Sequence, residues 1–345
     1  MKIAHIIWGL GTGGAETMLV DIVNIQAQTE CVAIVVVNET VEETLFQKID
    51  HRCKVKFCGR KLGSKNLLPW IKLNAFLLCF NPDIIHFHLP GMRKMVFHPA
   101  PKVFTIHNAY SSSAEYPKYK ALYAISDGVK NYTKQQGFGS ITIWNGINTS
   151  TIKQKTDNMP FKDGICKIVC IGRLHIEHKG QDILIDAINN LKEEGINNIH
   201  LDLIGDGDSR EQLEKQVMMY QLCDNVTFLG QRDRSYIYQH ICDYDLFVLP
   251  SRSEGFGLSV AEAMCAKVPV VVCDLEGPMG VIDGGRLGLS FKAGDAQSLA
   301  VKIKEFINDV PEKEILQEAC QYVVKHFDIS RTVERYIEEY KKVLV

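Results

Sequence analysis

Leu246-Phe247-Val248-Leu249-Pro250-Ser251-Arg252-Ser253-Glu254-Gly255-Phe256-Gly257-Leu258 is the stretch on which the reading of the fold turns. Four apolar residues stop at a proline, so a short, fully buried strand gives way to a loop. The loop carries two glycines and then enters a helix containing Glu262. A continuously apolar strand that passes through a glycine-bearing turn into a helix is the repeating unit of a parallel sheet covered on both faces.

The same unit recurs on both sides of it. Lys167 to Ile171, His200 to Ile204, Val226 to Leu229 and Val268 to Val272 read as further strands separated by helical segments. In the first half, Ile3 to Trp8, Val32 to Val37, Asp83 to His88, Val103 to His107 and Ala121 to Ile125 repeat the pattern. A polar stretch, Thr149 to Gly164, with Lys153, Lys155, Asp157, Asn158 and Pro160, separates the two series and reads as a linker. The expected class is α/β, with two Rossmann-like doubly wound parallel sheets, in domains 1–150 and 151–328 that face each other across a cleft. Glu312 to His326 and Ile329 to Leu344 read as two amphipathic helices, the helix at 329–345 returning to the first domain.

A chain of 345 residues is long enough for two cores. With 46% hydrophobic and 23% charged residues it is of ordinary globular composition, which excludes long disordered tracts. No run reaches ~18 apolar residues, so no membrane span is expected, and Ile3 to Trp8 is too short an apolar run for a signal peptide. Eleven cysteines without paired spacing read as reduced core thiols, and a cytoplasmic location is expected. Net charge is only −2, and no nucleic-acid partner is expected, yet residues 1–150 hold 16 Lys and Arg against 10 Asp and Glu. That surplus points to an anionic partner for the first half.

Several residue groups could carry chemistry. Gly9, Gly11 and Gly14 form a G-x-G-x-x-G between a strand and a helix, which suits a dinucleotide phosphate; an NAD-dependent oxidoreductase, with Glu39 as a ribose acid, is the rival reading. In the second half, Arg173 follows a strand and Lys179-Gly180 opens a helix, so two cations stand where a diphosphate binds. Glu254 and Glu262 can accept paired hydrogen bonds from vicinal hydroxyls, as sugars and ribose present them. Gly255 and Gly257 let the backbone approach a ligand closely. Asp206-Gly207-Asp208 and Asp243-Tyr244-Asp245 would suit a metal-bound diphosphate, but Asp245 heads a strand and Asp206 lies in a glycine turn.

Taken in order, Arg173 with Lys179, Gly205-Asp206-Gly207, Phe228-Leu229-Gly230, and Ser253-Glu254-Gly255-Phe256-Gly257 through Glu262-Ala263-Met264 resemble the signature series of the family 4 retaining glycosyltransferases of the GT-B fold, of a surface-polysaccharide type. Gly13-Gly14-Ala15-Glu16, Thr105-Ile106-His107 and Asn145-Gly146-Ile147 extend the resemblance into the first half. The resemblance implies a hexosyltransferase in which Arg173 and Lys179 meet the donor diphosphate, Glu262 the nucleotide ribose and Glu254 the sugar hydroxyls. It further implies that the backbone at Phe256, Gly257 and Leu258 closes on sugar and phosphate. Gly13 and Gly14 approach from the other domain, and His107 positions the transferred sugar and the acceptor.

A UDP-sugar is the favoured donor, a glycan or lipid-linked saccharide the acceptor, and retention of configuration follows from the resemblance alone. Arg232 is a candidate base-side contact. No cofactor and no metal are expected, since Arg173, Lys179 and helix dipoles can neutralise the diphosphate. Two departures, Cys265-Ala266-Lys267 and Glu276-Gly277-Pro278-Met279-Gly280, lie near the donor helix and bear on which donor is used. A GT-B-fold nucleotide-sugar epimerase or binding protein is a further alternative. Finally, eight cations from Lys48 to Lys72 stand against Asp50 alone and precede an apolar stretch with Leu67, Leu68, Trp70, Ile71, Leu73 and Leu77. Residues 48–80 could contact an anionic membrane, at its inner face, or could hold an ordinary buried helix ahead of the strand Asp83 to His88, the reading that hydrophobicity on most faces favours.

Overall fold

Strands such as Cys31–Asn38, in which seven successive side chains are buried, can be satisfied only inside a sheet covered on both faces. The computed structural model describes residues 1–11, 13–108, 113–156 and 161–345, and it divides into two units, 1–148 with 328–345 and 149–327. Unit 1 holds β1 (Lys2–Ile7), β2 (Cys31–Asn38), β3 (Lys54–Arg60), β4 (Ile84–Phe87), β5 (Lys102–Ile106), β6 (Ala121–Ala124) and β7 (Ile141–Thr142). They form one sheet in the order β3-β2-β1-β4-β5-β6-β7, with every pairing parallel. Part of its core lies where helix Gly14–Gln26 sets Leu19, Val20 and Val23 against Ile7, Val32, Ile34 and Val36. Helix Ile329–Leu344 belongs to this unit, with Tyr336 and Tyr340 buried against β4 and β5.

Unit 2 holds β8 (Cys166–Ile171), β9 (Ile199–Ile204), β10 (Val226–Gly230), β11 (Leu246–Leu249), β12 (Val270–Cys273) and β13 (Leu289–Phe291). Its parallel sheet runs β10-β9-β8-β11-β12-β13. Both sheets are doubly wound: the chain builds one side, returns to the middle and builds the other. No helix among the described residues is long and apolar enough to cross a membrane.

Two expectations need correction, the omitted strands and the linker. The sequence reading omits β3, β7 and β13, of which β3 is the strand inside the basic stretch. Trp70, Leu73 and Leu77 are not surface residues, in keeping with the buried-helix reading: with Phe80 they form the buried side of helix Leu68–Phe80, and Trp70 meets Trp8 edge-on at 5.8 Å. The stretch from Thr149 is no free linker either. Lys153 N–H donates to the Tyr238 carbonyl and Lys155 N–H to the Ala266 carbonyl, while the Lys155 ammonium lies 3.3 Å from Asp245. Asp157, Asn158 and Pro160 fall outside the described residues.

Candidate active site

β8 and β11 are neighbours, and the chain leaves them towards opposite edges of the sheet. Their carboxyl ends therefore flank the crevice where the covering helices part, which is where open α/β sheets receive ligands. Two loops leave there, one through Gly172 and Arg173 and one through Pro250 and Ser251. They are tied to each other: the N–H groups of Arg252 and Ser253 both donate to the His178 carbonyl, at 2.9 and 3.1 Å. The Arg252 guanidinium adds a bidentate pair to Asp182 at 2.6 and 2.7 Å.

Glycines permit this approach. Gly180 has φ +65°, and a Cβ placed there would stand 2.1 Å from the Pro250 carbonyl oxygen. Gly205 would meet the Gly172 oxygen at 2.0 Å, and Gly277 would meet the Gly255 oxygen at 2.6 Å. Because backbone sits on both sides, neither partner can swing away. Gly180→Ala is therefore expected to cost roughly 2–5 kcal/mol, combining left-handed backbone strain with overpacking. Gly195→Ala, at φ +86° in open space, should cost only about 1–2 kcal/mol. Denaturant unfolding of the two variants compares them directly, and equal losses would remove the claim that the Pro250 contact matters.

Within this frame Lys179 Nζ lies 2.7 Å from Glu254 Oε2. Burial by itself would lower the lysine pKa, but the Glu254 carboxylate outweighs it and the net direction is upward. The ammonium is therefore held charged at the crevice. Arg173, on the loop that leaves β8, is exposed, and its carbonyl accepts from Gln181 Nε2 at 2.8 Å. Helix Leu258–Cys265 begins next to Glu254, with Gly257 at φ +100° as its N-cap and no side chain capping its first N–H groups. Uncapped N–H groups at a helix start suit an anion.

Glu262 sits in that helix, buried, with Arg234 Nη2 at 3.4 Å from its Oε1. Arg234 was missed in the sequence, which pointed to Arg232. Arg232 is exposed and stacks over the Tyr236 ring at 5.1 Å. Phe256 is buried and meets Phe327 edge-on at 5.3 Å, so its side chain anchors the loop that leaves β11. Ser251 was also missed; its Oγ is buried and has no hydrogen-bond partner among the described residues. Of the two Asp-x-Asp triplets, Asp245 is engaged by the Lys167 N–H and Lys155, and Asp243 by His240. Asp206 caps the Gly207 N–H at 2.8 Å.

Unit 1 carries the remaining candidates at the carboxyl ends of its own central strands. Gly13 is the N-cap of helix Gly14–Gln26, which again has no side-chain cap. His107 follows β5, its ring 5.7 Å from that of His88, and its Nε2 is buried without a hydrogen-bond partner among the described residues. Burial lowers its pKa to about 4, so the imidazole is neutral at ordinary pH.

Behind it lies a histidine chain that was not anticipated. His5 Nδ1 is 2.9 Å from His88 Nε2, and His5 Nε2 is 2.8 Å from Gln26 Oε1. His86 bonds to the Tyr340 hydroxyl and, at 2.7 Å, to Thr105 Oγ1. One ring nitrogen from each of His5, His86 and His88 lies within 4.8 Å of the other two, close enough to suggest a metal, but five of their six ring nitrogens already have protein partners. Protein hydrogen bonds account for them, His5 and His88 bonding to each other and His86 to Tyr340 and Thr105.

Two family models match in tandem. The one described as Glycosyltransferase Family 4 matches residues 12–151, and the one described as Glycosyl transferases group 1 matches residues 153–322. A phosphatidyl-myo-inositol mannosyltransferase of Mycobacterium leprae is 25% identical over 279 residues, 76% of this chain and 74% of that protein. A lipopolysaccharide core biosynthesis glycosyltransferase of Rhizobium meliloti, LpsE, is 23% identical over 343 residues, 90% of this chain and 89% of its own. Several other relatives are matched over only about half their own length, 50–54%. Among solved structures, Anabaena HepE in complex with UDP-glucose superposes with a TM-score of 0.81 at 23% identity, covering 99% of this chain and 100% of that one.

Proposed function

Since the chain belongs to the family 4 glycosyltransferases, we propose that it moves a hexose from a nucleotide-diphosphate sugar, held mainly by unit 2, to a hydroxyl of a glycan or lipid-linked saccharide. The observation that carries this reading is the charged Lys179, held by Glu254 at the crevice between β8 and β11 beside the uncapped helix Leu258–Cys265. A diphosphate leaving group needs positive charge that is already in place when the glycosidic bond breaks. Lys179, the neighbouring Arg173 and the helix N–H groups supply it, with Glu254 keeping the lysine oriented until the donor arrives. Glu262, braced by Arg234, is suited to accept the ribose hydroxyls, and the backbone of Gly255 to Leu258 to lie against sugar and phosphate. UDP is the favoured nucleotide, supported by the complex of Anabaena HepE with UDP-glucose.

His107, being neutral, would hydrogen-bond a sugar or acceptor hydroxyl rather than neutralise phosphate. Gly13 and Gly14 would offer uncapped N–H groups to a polar or anionic group. Retention of anomeric configuration remains part of this proposal, and so does a surface-polysaccharide acceptor, a reading supported by relatives such as the lipopolysaccharide core enzyme.

The reaction needs no metal if these cations and dipoles carry the leaving-group charge. Incubation with UDP-sugars and other nucleotide sugars should release the nucleoside diphosphate, and prior chelation should leave the rate within about twofold. Loss of turnover on chelation, restored by Mg²⁺ or Mn²⁺, would show that a carboxylate-bound metal supplies the charge instead. Stoichiometric NAD(H) binding with no nucleotide-sugar turnover would revive the dehydrogenase reading of Gly9 to Gly14.

A further inference from the structure

Helix Leu68–Phe80 buries Trp70, Leu73, Leu77 and Phe80, yet its opposite side is not polar. Leu68, Ile71 and Leu78, spaced three and seven apart with Ala75 between, form a stripe in which Ile71 is 62% and Leu78 67% exposed. Phe97, 75% exposed, stands beside this stripe: its N–H donates to Asn74 Oδ1 at 2.8 Å, and Asn74 Nδ2 donates to the Met95 carbonyl at 2.8 Å. Asn74 lies one helical turn from both Ile71 and Leu78, so Phe97 is pinned next to them. The loop entering the helix adds Leu62 and Leu67, both exposed.

Exposed cations surround these side chains: Lys61, Lys65 and Lys72 on the loop and helix, and Lys94 just before Phe97. From residue 51 to residue 114 the only acid is Asp83, against ten Lys and Arg. Arg60 is not part of this ring, since it braces the loop through Asn38 and the Ser64 carbonyl and lies over the Trp8 ring at 5.3 Å.

We propose that this face docks on an anionic lipid bilayer, with Ile71, Leu78, Phe97 and Leu62 entering the headgroup boundary and the lysines pairing with lipid phosphates. A helix that lies flat with an apolar outer stripe and flanking lysines is the form in which soluble domains bind such surfaces. Charge complementarity selects the occupant. Two copies of the chain meeting through this face would set Lys61, Lys65, Lys72 and Lys94 against like charges, whereas an anionic bilayer supplies the opposite sign. The purpose of docking, bringing unit 1 to a lipid-linked acceptor, rests on the function proposed above; the docking itself does not.

Co-sedimentation of the full chain with vesicles of phosphatidylcholine, with and without phosphatidylglycerol, tests it in the absence of any sugar donor. Binding is expected only with phosphatidylglycerol present, and it should weaken with salt. Lys61→Glu with Lys65→Glu and Lys72→Glu should lower the partition at least about tenfold. Ile71→Asn with Leu78→Asn and Phe97→Ser should do the same, and because all six positions are exposed the unfolding midpoint should stay put.

A native chain that remains in the supernatant with phosphatidylglycerol vesicles overturns the proposal. So does binding that the apolar variant leaves unchanged, since the stripe would then not be inserted. A concentration-dependent dimer in light scattering, abolished by the apolar variant, assigns the face to a second copy. Intact docking without any nucleotide-sugar turnover would sink the enzymatic reading and leave this one standing.

Discussion

Lys179→Ala should lower kcat/KM for the sugar donor by one to two orders of magnitude, and Arg173→Ala by a similar factor. Each removes a charge-assisted contact to the proposed diphosphate, worth about 1.5–3 kcal/mol, or ~10- to 150-fold in rate. The two differ in what else they disturb. Arg173 is exposed, so its loss should leave the unfolding midpoint nearly unchanged. Lys179 is the partner of Glu254, whose side chain is only 16% exposed, and its removal strands a partly buried carboxylate. Lys179→Ala should therefore also lower stability, and Lys179→Ala with Glu254→Gln should recover that stability without recovering turnover. Lys215→Ala, at a surface pair with Glu211, serves as control. Initial rates of nucleoside diphosphate release at subsaturating donor measure the effect. Wild-type rates in both single variants would mean that the donor phosphates bind elsewhere.

The second large effect is on stability and comes from the histidine chain of unit 1. Burial lowers the pKa of His5 and His107 to about 4, and holds His86 and His88 well below the usual value. In the unfolded chain all four titrate near ~6.5. The folded state thus excludes protons that the unfolded state binds, so the contribution of these residues is complete above pH ~6.5 and is lost as pH falls towards 4. Each excluded proton steepens the loss by about 1.4 kcal/mol per pH unit, and three to four together give roughly 4–5 kcal/mol per unit near pH 5. Against a typical total of about 5–15 kcal/mol, unit 1 should lose its cooperative transition between pH 6 and about 5, before most carboxylates protonate. Denaturant unfolding followed across this range gives the slope. An excess uptake of fewer than one proton would mean that the rings are already charged or solvated in the folded chain.

How much of this could be read beforehand depended on how local the cause was. The doubly wound sheets were legible because strands buried on both faces are apolar without interruption, as in Val32 to Val37 and Leu246 to Leu249. β3 was not, because Lys-Val-Lys-Phe-Cys-Gly-Arg is the pattern of an edge strand, where charge is tolerated and alternation is weak. The stretch therefore read as a basic cluster.

The close approaches at Gly180, Gly205 and Gly277 left glycines in the sequence, but not the identity of the carbonyl each one meets. Arg234 and Arg232 are equivalent by spacing, and only the helix start at Asp233 turns the one towards Glu262 and leaves the other on Tyr236. That Trp70 packs against Trp8 could not be read from the sequence, because the partner lies 62 positions away. The side of the helix that does face outward is signalled by Ile71 and Leu78, which resemble core residues as letters. Likewise His86 in a strand gives no warning of Tyr340.

That last pairing spans 254 positions, because the whole of unit 2 is encoded between the two parts of unit 1. During synthesis the seven strands of the first sheet emerge long before helix Ile329–Leu344, which brings the hydroxyls for His86 and Thr105. Unit 2 has all its strands once β13 leaves the ribosome, while the first-made sheet still lacks the Tyr340 hydroxyl for His86 and the Tyr336 hydroxyl for Thr105, and the face that this helix covers is still open. The order of completion is thus the reverse of the order of translation. For tens of seconds or less, at about 5–20 residues per second, the older half depends on the younger to finish it, and it is then most exposed to aggregation and to chaperones.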